Sequence, residues 1–217
     1  MLLPTSNLFY SISQMKKTSN RSVTRAKRVL LASLVLFVLC LAIAHQPHSY
    51  DQVILRWIYG LPPAVALPSY VITQLGSPIA IAIAALVALL LNRKKVAIAL
   101  LGSGALAYTL IAWVKVTVAR PRPDTLLPDV IVRFEQTLGH SFPSGHTAIA
   151  TALALSVWPY IPPRYRWLLV VWIVVVGLSR INLGVHWPVD IVGGFAVGAF
   201  AAAVVRLIML YFAQKQR

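Results

Sequence analysis

The sequence has little charge and very few acidic residues. Only 12% of its 217 residues are charged, and five of these are acidic. A soluble domain of this length would carry about twice that share of charge. Because 59% of the residues are apolar, the composition excludes an ordinary soluble domain and indicates one compact membrane domain.

Cysteine is almost absent, and carboxylates never occur in pairs. Cys40 is the single cysteine and lies in an apolar run. Because one cysteine cannot form an internal disulfide, cysteine usage does not indicate whether the protein lies in an oxidising or a reducing compartment. Two-metal centres need clustered acidic ligands, which this sequence does not show. This scarcity disfavours a two-metal site, and we expect no cofactor. The five acidic residues are Asp51, Asp124, Asp129, Glu135 and Asp190.

Basic residues are plentiful, with a formal net charge of +15, but they occur in separate clusters. The clusters lie at 16–28, 93–95, 164–166 and 215–217, and apolar segments alternate with them. Alternation of this kind is typical of a multi-pass protein that follows the positive-inside rule. It leaves no folded basic face for a nucleic acid, so we exclude that partner.

Six apolar runs predict an all-α fold, an integral membrane six-helix bundle. Several are slightly shorter than the ~20 residues that a membrane span usually needs. If the basic clusters are cytoplasmic, both termini are cytoplasmic, and segments 45–75, 116–145 and 179–188 face the periplasm or exterior of a plasma (inner) membrane. The runs are 29–44, 65–91, 96–114, 147–161, 167–178 and 189–212.

Three segments follow from this organisation. We predict a basic, disordered cytoplasmic N-terminus at 1–28, a helical membrane domain at 29–212 and a short cytoplasmic tail at 213–217. Met15 could be the true start of translation. Ala42-Ile43-Ala44 resembles a signal-peptide cleavage site, although we favour a retained first helix.

The first polar cluster places three cations within eight residues, Lys115, Arg120 and Arg122. Arginine offers planar paired donors to phosphoryl oxygens, and lysine acts as a compact charge. Because each arginine precedes a proline, the chain leaves its helix here. The alternative, basic side chains at a membrane interface, fits less well on the outer side, where cations are few.

The second cluster, Pro143-Ser144-Gly145-His146, precedes an apolar helical run. Ser144 is a candidate N-cap, Gly145 lets a ligand approach the backbone, and free N–H groups at a helix start can bind an anion. An ordinary capped turn explains the tetrapeptide equally well when it is taken alone.

The third cluster contains Ser179-Arg180, His186 and Asp190. Asp190 lies about one helical turn after His186, so it can fix the imidazole tautomer and leave the other nitrogen free to react. A capping aspartate beside an interfacial histidine is the alternative. The predicted topology brings all three clusters to the same face of the membrane.

Together the clusters resemble the type 2 phosphatidic acid phosphatase superfamily, which also includes the vanadium haloperoxidases. The family pattern is Lys, six residues, Arg-Pro; then Pro-Ser-Gly-His; then Ser-Arg, five residues, His, three residues, Asp. The sequence matches it at every position: Lys115, Arg122-Pro123, Pro143 to His146, Ser179-Arg180, His186 and Asp190. Together with the six apolar runs, the likeness extends over about 29–212.

The resemblance implies a role for each matched residue. It assigns His186 as the nucleophile that forms a phosphohistidine, Asp190 as its orienting group and His146 as the acid and then the base. It implies that the phosphoryl oxygens are held, without a metal, by Lys115, Arg122, Ser144, Gly145 and Arg180.

The implied function is a metal-independent membrane phosphatase acting on a lipid phosphate or diphosphate, such as undecaprenyl diphosphate, phosphatidic acid, diacylglycerol pyrophosphate or phosphatidylglycerophosphate. A lipid phosphotransferase would use the same intermediate. A non-catalytic lipid-binding protein and a haloperoxidase fit less well. The expected partner is a phosphorylated membrane lipid, and the protein would be a monomer or homodimer.

Residues beside the motifs carry weaker expectations. Arg120 is a candidate for a second phosphate or a lipid head group, and His140 for a loop residue. Asn182 and Trp187 are expected to shape the pocket. Gly194 and Gly198 form a small-xxx-small pattern, which indicates packing within the bundle or, as an alternative, dimerisation.

Overall fold

All regular structure that the computed structural model describes is helical. It describes the backbone of residues 5–135 and 139–216, and side chains from residue 20 onward within those ranges. The prediction of an all-α fold is therefore confirmed. The helices are α1 (Thr5–Ile43), α2 (Ser49–Tyr59), α3 (Ala66–Thr73), α4 (Pro78–Leu90), α5 (Lys94–Val118), α6 (Pro123–Leu126), α7 (Gly145–Val157), α8 (Arg166–Asn182) and α9 (Pro188–Lys215).

Four helical stretches in the described residues are long and apolar enough to cross a membrane: Asn20–Ile43, Lys94–Leu126, Pro163–Asn182 and Pro188–Lys215. A fifth crossing is available if Pro63–Gly76 and Pro78–Leu90, which meet at 58°, form one bent span. The bend lies at Ser77-Pro78, where proline cannot continue a preceding helix.

The sixth predicted span, 147–161, is not confirmed as a membrane-length helix. It corresponds to α7, which has 13 residues and ends at a 3₁₀ turn, Trp158–Tyr160. At about 1.5 Å per residue, α7 is roughly 20 Å long, shorter than the ~30 Å hydrocarbon core. Nine of its residues are buried, so α7 is the central helix of the bundle.

Helix α9 packs closely against α7 because small residues line the contact. A Cβ atom at Gly198 would fall on the carbonyl oxygen of Ala148, and one at Gly194 on that of Ser144. Without side chains at these positions the two backbones approach directly. The small-xxx-small pattern therefore serves packing inside the bundle.

The outer surface of the bundle is strongly apolar. Ile83, Val87 and Leu90 on α4 are exposed, the last by 73%. Exposed aliphatic side chains in this number suit lipid chains rather than water. The multi-pass membrane character of the protein follows from these helices together.

The basic N-terminal segment differs from the prediction. Residues 5–28, expected to be disordered, continue α1 without a break into the apolar run. Extending an existing helix costs far less free energy than starting a new one. A helix that is held in the bundle by its apolar part can therefore continue towards the N-terminus. Residues 1–4 lie outside the described part of the chain.

Candidate active site

The polar clusters meet at one end of the bundle. They come from the last turn of α5, the segment before α6, the first turn of α7, the last turn of α8 and the loop before α9. There they surround an open cavity of about 360 Å³. The predicted site residues that line it are Lys115, Arg122, Gly145, His146, Arg180 and His186.

The carboxylate of Asp190 lies behind the imidazole of His186, as the spacing predicts. Nδ1 of His186 is 3.2 Å from Oδ2 of Asp190, and both side chains are almost fully buried. The same oxygen accepts a hydrogen bond from the backbone N–H of Trp187 (2.9 Å) and one from the hydroxyl of Ser141. With Nδ1 occupied, Nε2 is the nitrogen available to a substrate.

The surroundings of His186 keep its imidazole neutral. Burial, followed by the positive charges of Arg122, Lys115 and Arg180, lowers the pKa of His186 well below its usual range. Desolvation and neighbouring cations both disfavour the imidazolium form. A neutral ring retains the lone pair that a nucleophile needs.

Lys115 and Arg122 both donate hydrogen bonds to main-chain carbonyls beside the cavity. Nζ of Lys115 donates to the carbonyl of His140 at 2.7 Å. Arg122 donates from Nε to Gly139 at 3.0 Å and from Nη1 to Val185 at 2.8 Å. These carbonyls orient both side chains beside the cavity, which suits an anionic ligand.

Arg180 has a carboxylate partner in the cavity wall. Its two terminal nitrogens form a bidentate ion pair with Glu135, and Nη1 also donates to Oγ1 of Thr73 at 3.3 Å. Its Nε is buried and has no hydrogen-bond partner among the described residues. A planar phosphoryl face could replace the carboxylate on this guanidinium.

The expectation that Arg120 binds a phosphate or head group is not supported by its surroundings. Its side chain is fully buried and joins two carboxylates, donating to Oδ1 of Asp190 at 2.9 Å and to Oδ2 of Asp51 at 2.6 Å. Oδ1 of Asp51 accepts the backbone N–H of Val189 at 3.2 Å. Arg120 is thus neutralised inside the protein and is not among the residues that line the candidate cavity.

Ser144 occupies the N-cap position of α7, but its side chain makes no capping hydrogen bond. Its hydroxyl is fully buried and accepts a hydrogen bond from Oγ1 of Thr147 at 3.0 Å. Gly145 and His146, in contrast, line the cavity. The structure therefore places Ser144 beneath the site rather than on its surface.

Asn182 and Trp187 shape the framework rather than the cavity wall. Nδ2 of Asn182 donates to the carbonyl of Ile58 at 2.8 Å, and Nε1 of Trp187 donates to that of Pro121 at 2.9 Å. Both side chains are buried. They tie α8 and the loop before α9 to elements that are distant in sequence.

Three residues at this site were not predicted from the sequence. Asp51, Glu135 and Ser141 contact Arg120, Arg180 and Asp190, respectively. The sequence did contain a signal for the two acids, Asp51 and Glu135. In a chain with so few acidic residues, each one is expected to pair with a cationic or buried group. Among the described residues, no group of three His, Cys, Asp or Glu side chains is placed to hold a metal ion.

Comparison with known proteins agrees with this geometry. The profile of the PAP2 superfamily matches residues 96–214, over half of the chain, and the protein belongs to that superfamily. The crystal structure of Aquifex aeolicus LpxE superposes with a TM-score of 0.67 at 25% identity, covering 75% of this chain and 98% of that one. The predicted family and its membrane fold are confirmed.

Two curated relatives illustrate the range of the superfamily. An undecaprenyl-diphosphatase of Sulfolobus acidocaldarius is 29% identical over 55% of this chain and 58% of its own length. A decaprenylphosphoryl-5-phosphoribose phosphatase of Mycobacterium tuberculosis is 36% identical over 57% of this chain and 67% of its own length. The chain therefore spans between about half and two thirds of these two relatives.

Proposed function

We propose that this protein is a membrane lipid phosphatase that works through a phosphohistidine on His186. One observation carries the proposal: three cations and two histidines from separate segments of the chain line one cavity, with Asp190 behind one of the histidines. Fixed positive charges around a nucleophile match the demands of phosphoryl transfer, in which charge spreads over the equatorial oxygens.

In the first step, Nε2 of His186 attacks the phosphorus atom. Burial, followed by the charges of Arg180, Lys115 and Arg122, lowers the pKa of His146 to about 3, and the negative charge of a bound phosphate opposes these cations so that the ring can be protonated. The bond between phosphorus and the leaving oxygen breaks, and protonated His146 gives its proton to that oxygen. Lys115, Arg122 and Arg180 hold the remaining oxygens, and Arg180 exchanges Glu135 for the phosphoryl group. Asp190 stabilises the positive charge that His186 acquires.

In the second step, neutral His146 takes a proton from a water molecule, and the water oxygen attacks the phosphorus atom. The bond between phosphorus and Nε2 breaks, inorganic phosphate leaves and His186 returns to its neutral state. Fixed cations supply the charge stabilisation that a bound metal often provides, so the proposed reaction needs no metal.

A lipid with a long apolar chain suits the cavity. Pro78, Tyr108, Ile111 and Ala112 also line it, and Tyr108 is exposed on the bundle surface. Both curated relatives described above are named for polyprenyl phosphates. We infer that an undecaprenyl-type diphosphate is the preferred substrate, with phosphatidic acid and related lipids as further candidates.

The test is phosphate release by the purified protein in detergent, over undecaprenyl diphosphate, phosphatidic acid, diacylglycerol pyrophosphate and phosphatidylglycerophosphate. We expect His186→Ala to lower turnover about a thousandfold or more without unfolding the protein. His45→Ala, which removes an exposed histidine, is the matched control. Near-normal turnover of His186→Ala would disprove the nucleophile assignment.

Two further measurements separate hydrolysis from its alternatives. Alkaline quenching of a reaction with phosphate-labelled substrate should trap an acid-labile phosphoprotein in the wild type and none in His186→Ala. Turnover should be unchanged by EDTA, and a strict requirement for Mg²⁺ would contradict the proposed mechanism. Adding an acceptor lipid should leave phosphate, rather than a phosphorylated acceptor, as the main product.

A further inference from the structure

A second cavity lies at the opposite end of the bundle from the candidate active site. It measures about 660 Å³ and is lined by α1, the end of α7 with the turn after it, the start of α8 and the second half of α9. On α8 alone, the 14 residues from Arg166 to Arg180 separate the two sites by roughly 21 Å along the helix. The two cavities therefore lie at opposite ends of the same helices.

Four arginines line this second cavity: Arg25, Arg28, Arg166 and Arg206. Arg166 is fixed in place, since its Nε donates to the carbonyl of Ile161 at 3.0 Å and its guanidinium lies 5.6 Å from the centre of the Trp158 ring. Four guanidinium groups around one space repel each other unless an anion enters.

No acidic side chain of this protein can supply that anion. The whole sequence contains five, and in the structure all five lie at the other end, around or beside the candidate active site. Among the described residues no acidic side chain balances the charge of the arginine cavity, which leaves room for an anionic ligand. The five are Asp51, Asp124, Asp129, Glu135 and Asp190.

The remaining wall of the cavity is apolar. Val29, Leu155, Pro159 and Ala202 line it, and Val29 also lies on the apolar outer surface of α1. A free inorganic anion would gain nothing from these side chains, whereas a membrane lipid offers a phosphate beside acyl chains. A cavity that is cationic and open beside an apolar surface suits such a molecule.

We propose that the arginine cavity binds the phosphodiester head group of an anionic phospholipid from the leaflet opposite the candidate active site. The arginines contact the phosphate, and the first acyl-chain carbons lie against Val29 and its apolar neighbours. This site is separate from the phosphoryl-transfer site and does not depend on hydrolysis.

The test measures thermal unfolding of the full-length protein in neutral detergent, with phosphatidylglycerol, phosphatidylcholine or inorganic phosphate added. At about a hundredfold excess over its dissociation constant, phosphatidylglycerol should raise the unfolding midpoint by roughly 5 °C or more. Phosphatidylcholine and inorganic phosphate should not. Equal shifts with phosphatidylcholine would overturn the proposal, and a full shift with phosphate would replace the lipid by a soluble anion.

Substitutions test whether the lipid binds in the arginine cavity. Arg166→Gln combined with Arg206→Gln should weaken phosphatidylglycerol binding, measured by native mass spectrometry, by about fivefold for each arginine removed. Arg93→Gln with Lys94→Gln removes two exposed cations at the same end but outside the cavity, and should leave binding intact. Unchanged binding in the cavity variant would refute the site.

Arg166 also packs on Trp158, so a second variant guards against misfolding. Arg25→Gln with Arg28→Gln changes only exposed side chains on α1 and should reduce lipid retention to a similar degree. Because these experiments count bound lipid rather than released phosphate, their failure would leave the proposed phosphatase function untouched, and the converse also holds.

Discussion

At the residue scale, the candidate site combines charges that line the cavity with charges neutralised behind it. Lys115 and Arg122 rest on neutral carbonyls, whereas Arg120 is enclosed by Asp51 and Asp190. A buried arginine between two carboxylates holds both in one orientation, provided that all three remain. Arg120 is therefore a positioning residue for Asp190 and, through it, for His186.

Arg120→Lys should lower kcat about 100-fold and leave KM nearly unchanged, because an ammonium cannot bridge both carboxylates and a small displacement of the nucleophile is costly. Steady-state phosphate release measures both constants. Arg56→Gln is the control, since the Arg56–Asp129 pair is about half exposed and contributes little. A raised KM with normal kcat would show instead that Arg120 touches the substrate.

Glu135→Gln should strengthen the binding of phosphate analogues. The Glu135 carboxylate pairs with the Arg180 guanidinium that the phosphoryl group is proposed to use, so a substrate must displace it. Removing the charge should lower the inhibition constant for vanadate about tenfold. Asp129→Asn, an exposed acid preceding the same loop, should have no effect, and weaker vanadate inhibition in Glu135→Gln would contradict this competition.

At the element scale, the short central helix α7 determines where the two histidines meet. Its first turn carries His146, and its flank packs directly on α9, whose first residues follow His186. Gly194 and Gly198 make that contact close enough to bring both chain segments to one cavity. The distance between α7 and α9 is therefore a condition for the proposed chemistry.

Gly198→Ala should destabilise the bundle by about 1–3 kcal/mol, because the new methyl group meets the Ala148 carbonyl and lies 2.8 Å from Cβ of Thr151. Gly102→Ala is a matched control in α5, where the nearest atom, Cγ1 of Val205, is at 3.4 Å. Thermal unfolding in detergent compares the two. Equal unfolding midpoints for the two variants would indicate that α7 and α9 can move apart without loss of stability.

At the scale of the whole molecule, charge is divided between the two ends of the bundle. The acids and the candidate site occupy one end, and the arginine cavity with the 93–95 cluster occupies the other. From the positive-inside rule, we propose that the arginine end is cytoplasmic. The proposed phosphatase would then act on lipids presented at the periplasmic or outer surface.

A reporter fused after Arg217 should read cytoplasmic, whereas the same reporter inserted after Leu61, in the exposed turn after α2, should read external. Both follow from placing the arginine-rich end inside. Alkaline phosphatase and a fluorescent protein, used in parallel, give opposite signals on the two sides. An external signal after Arg217 would reverse the proposed orientation.

Much of this protein can be predicted from its sequence. Apolar runs indicate helices because a membrane requires the backbone to satisfy its own hydrogen bonds. The spacing from His186 to Asp190 indicates their contact because both lie within about one helical turn. The break after Val118, where α5 ends, follows from the two Arg-Pro pairs, which cannot remain helical.

The tertiary structure alone decided which polar residues face the cavity and which lie behind it. Arg120 and Arg122 are two residues apart, yet one is enclosed by carboxylates and the other lines the cavity. That difference depends on Asp51, 69 residues earlier, and on the packing of α2 beside α9. The sequence by itself determined the class of chemistry, because the spacing of the motifs is a local property of the chain. Burial and ion pairing between distant helices are not local properties, so only the folded bundle assigned each charge its partner.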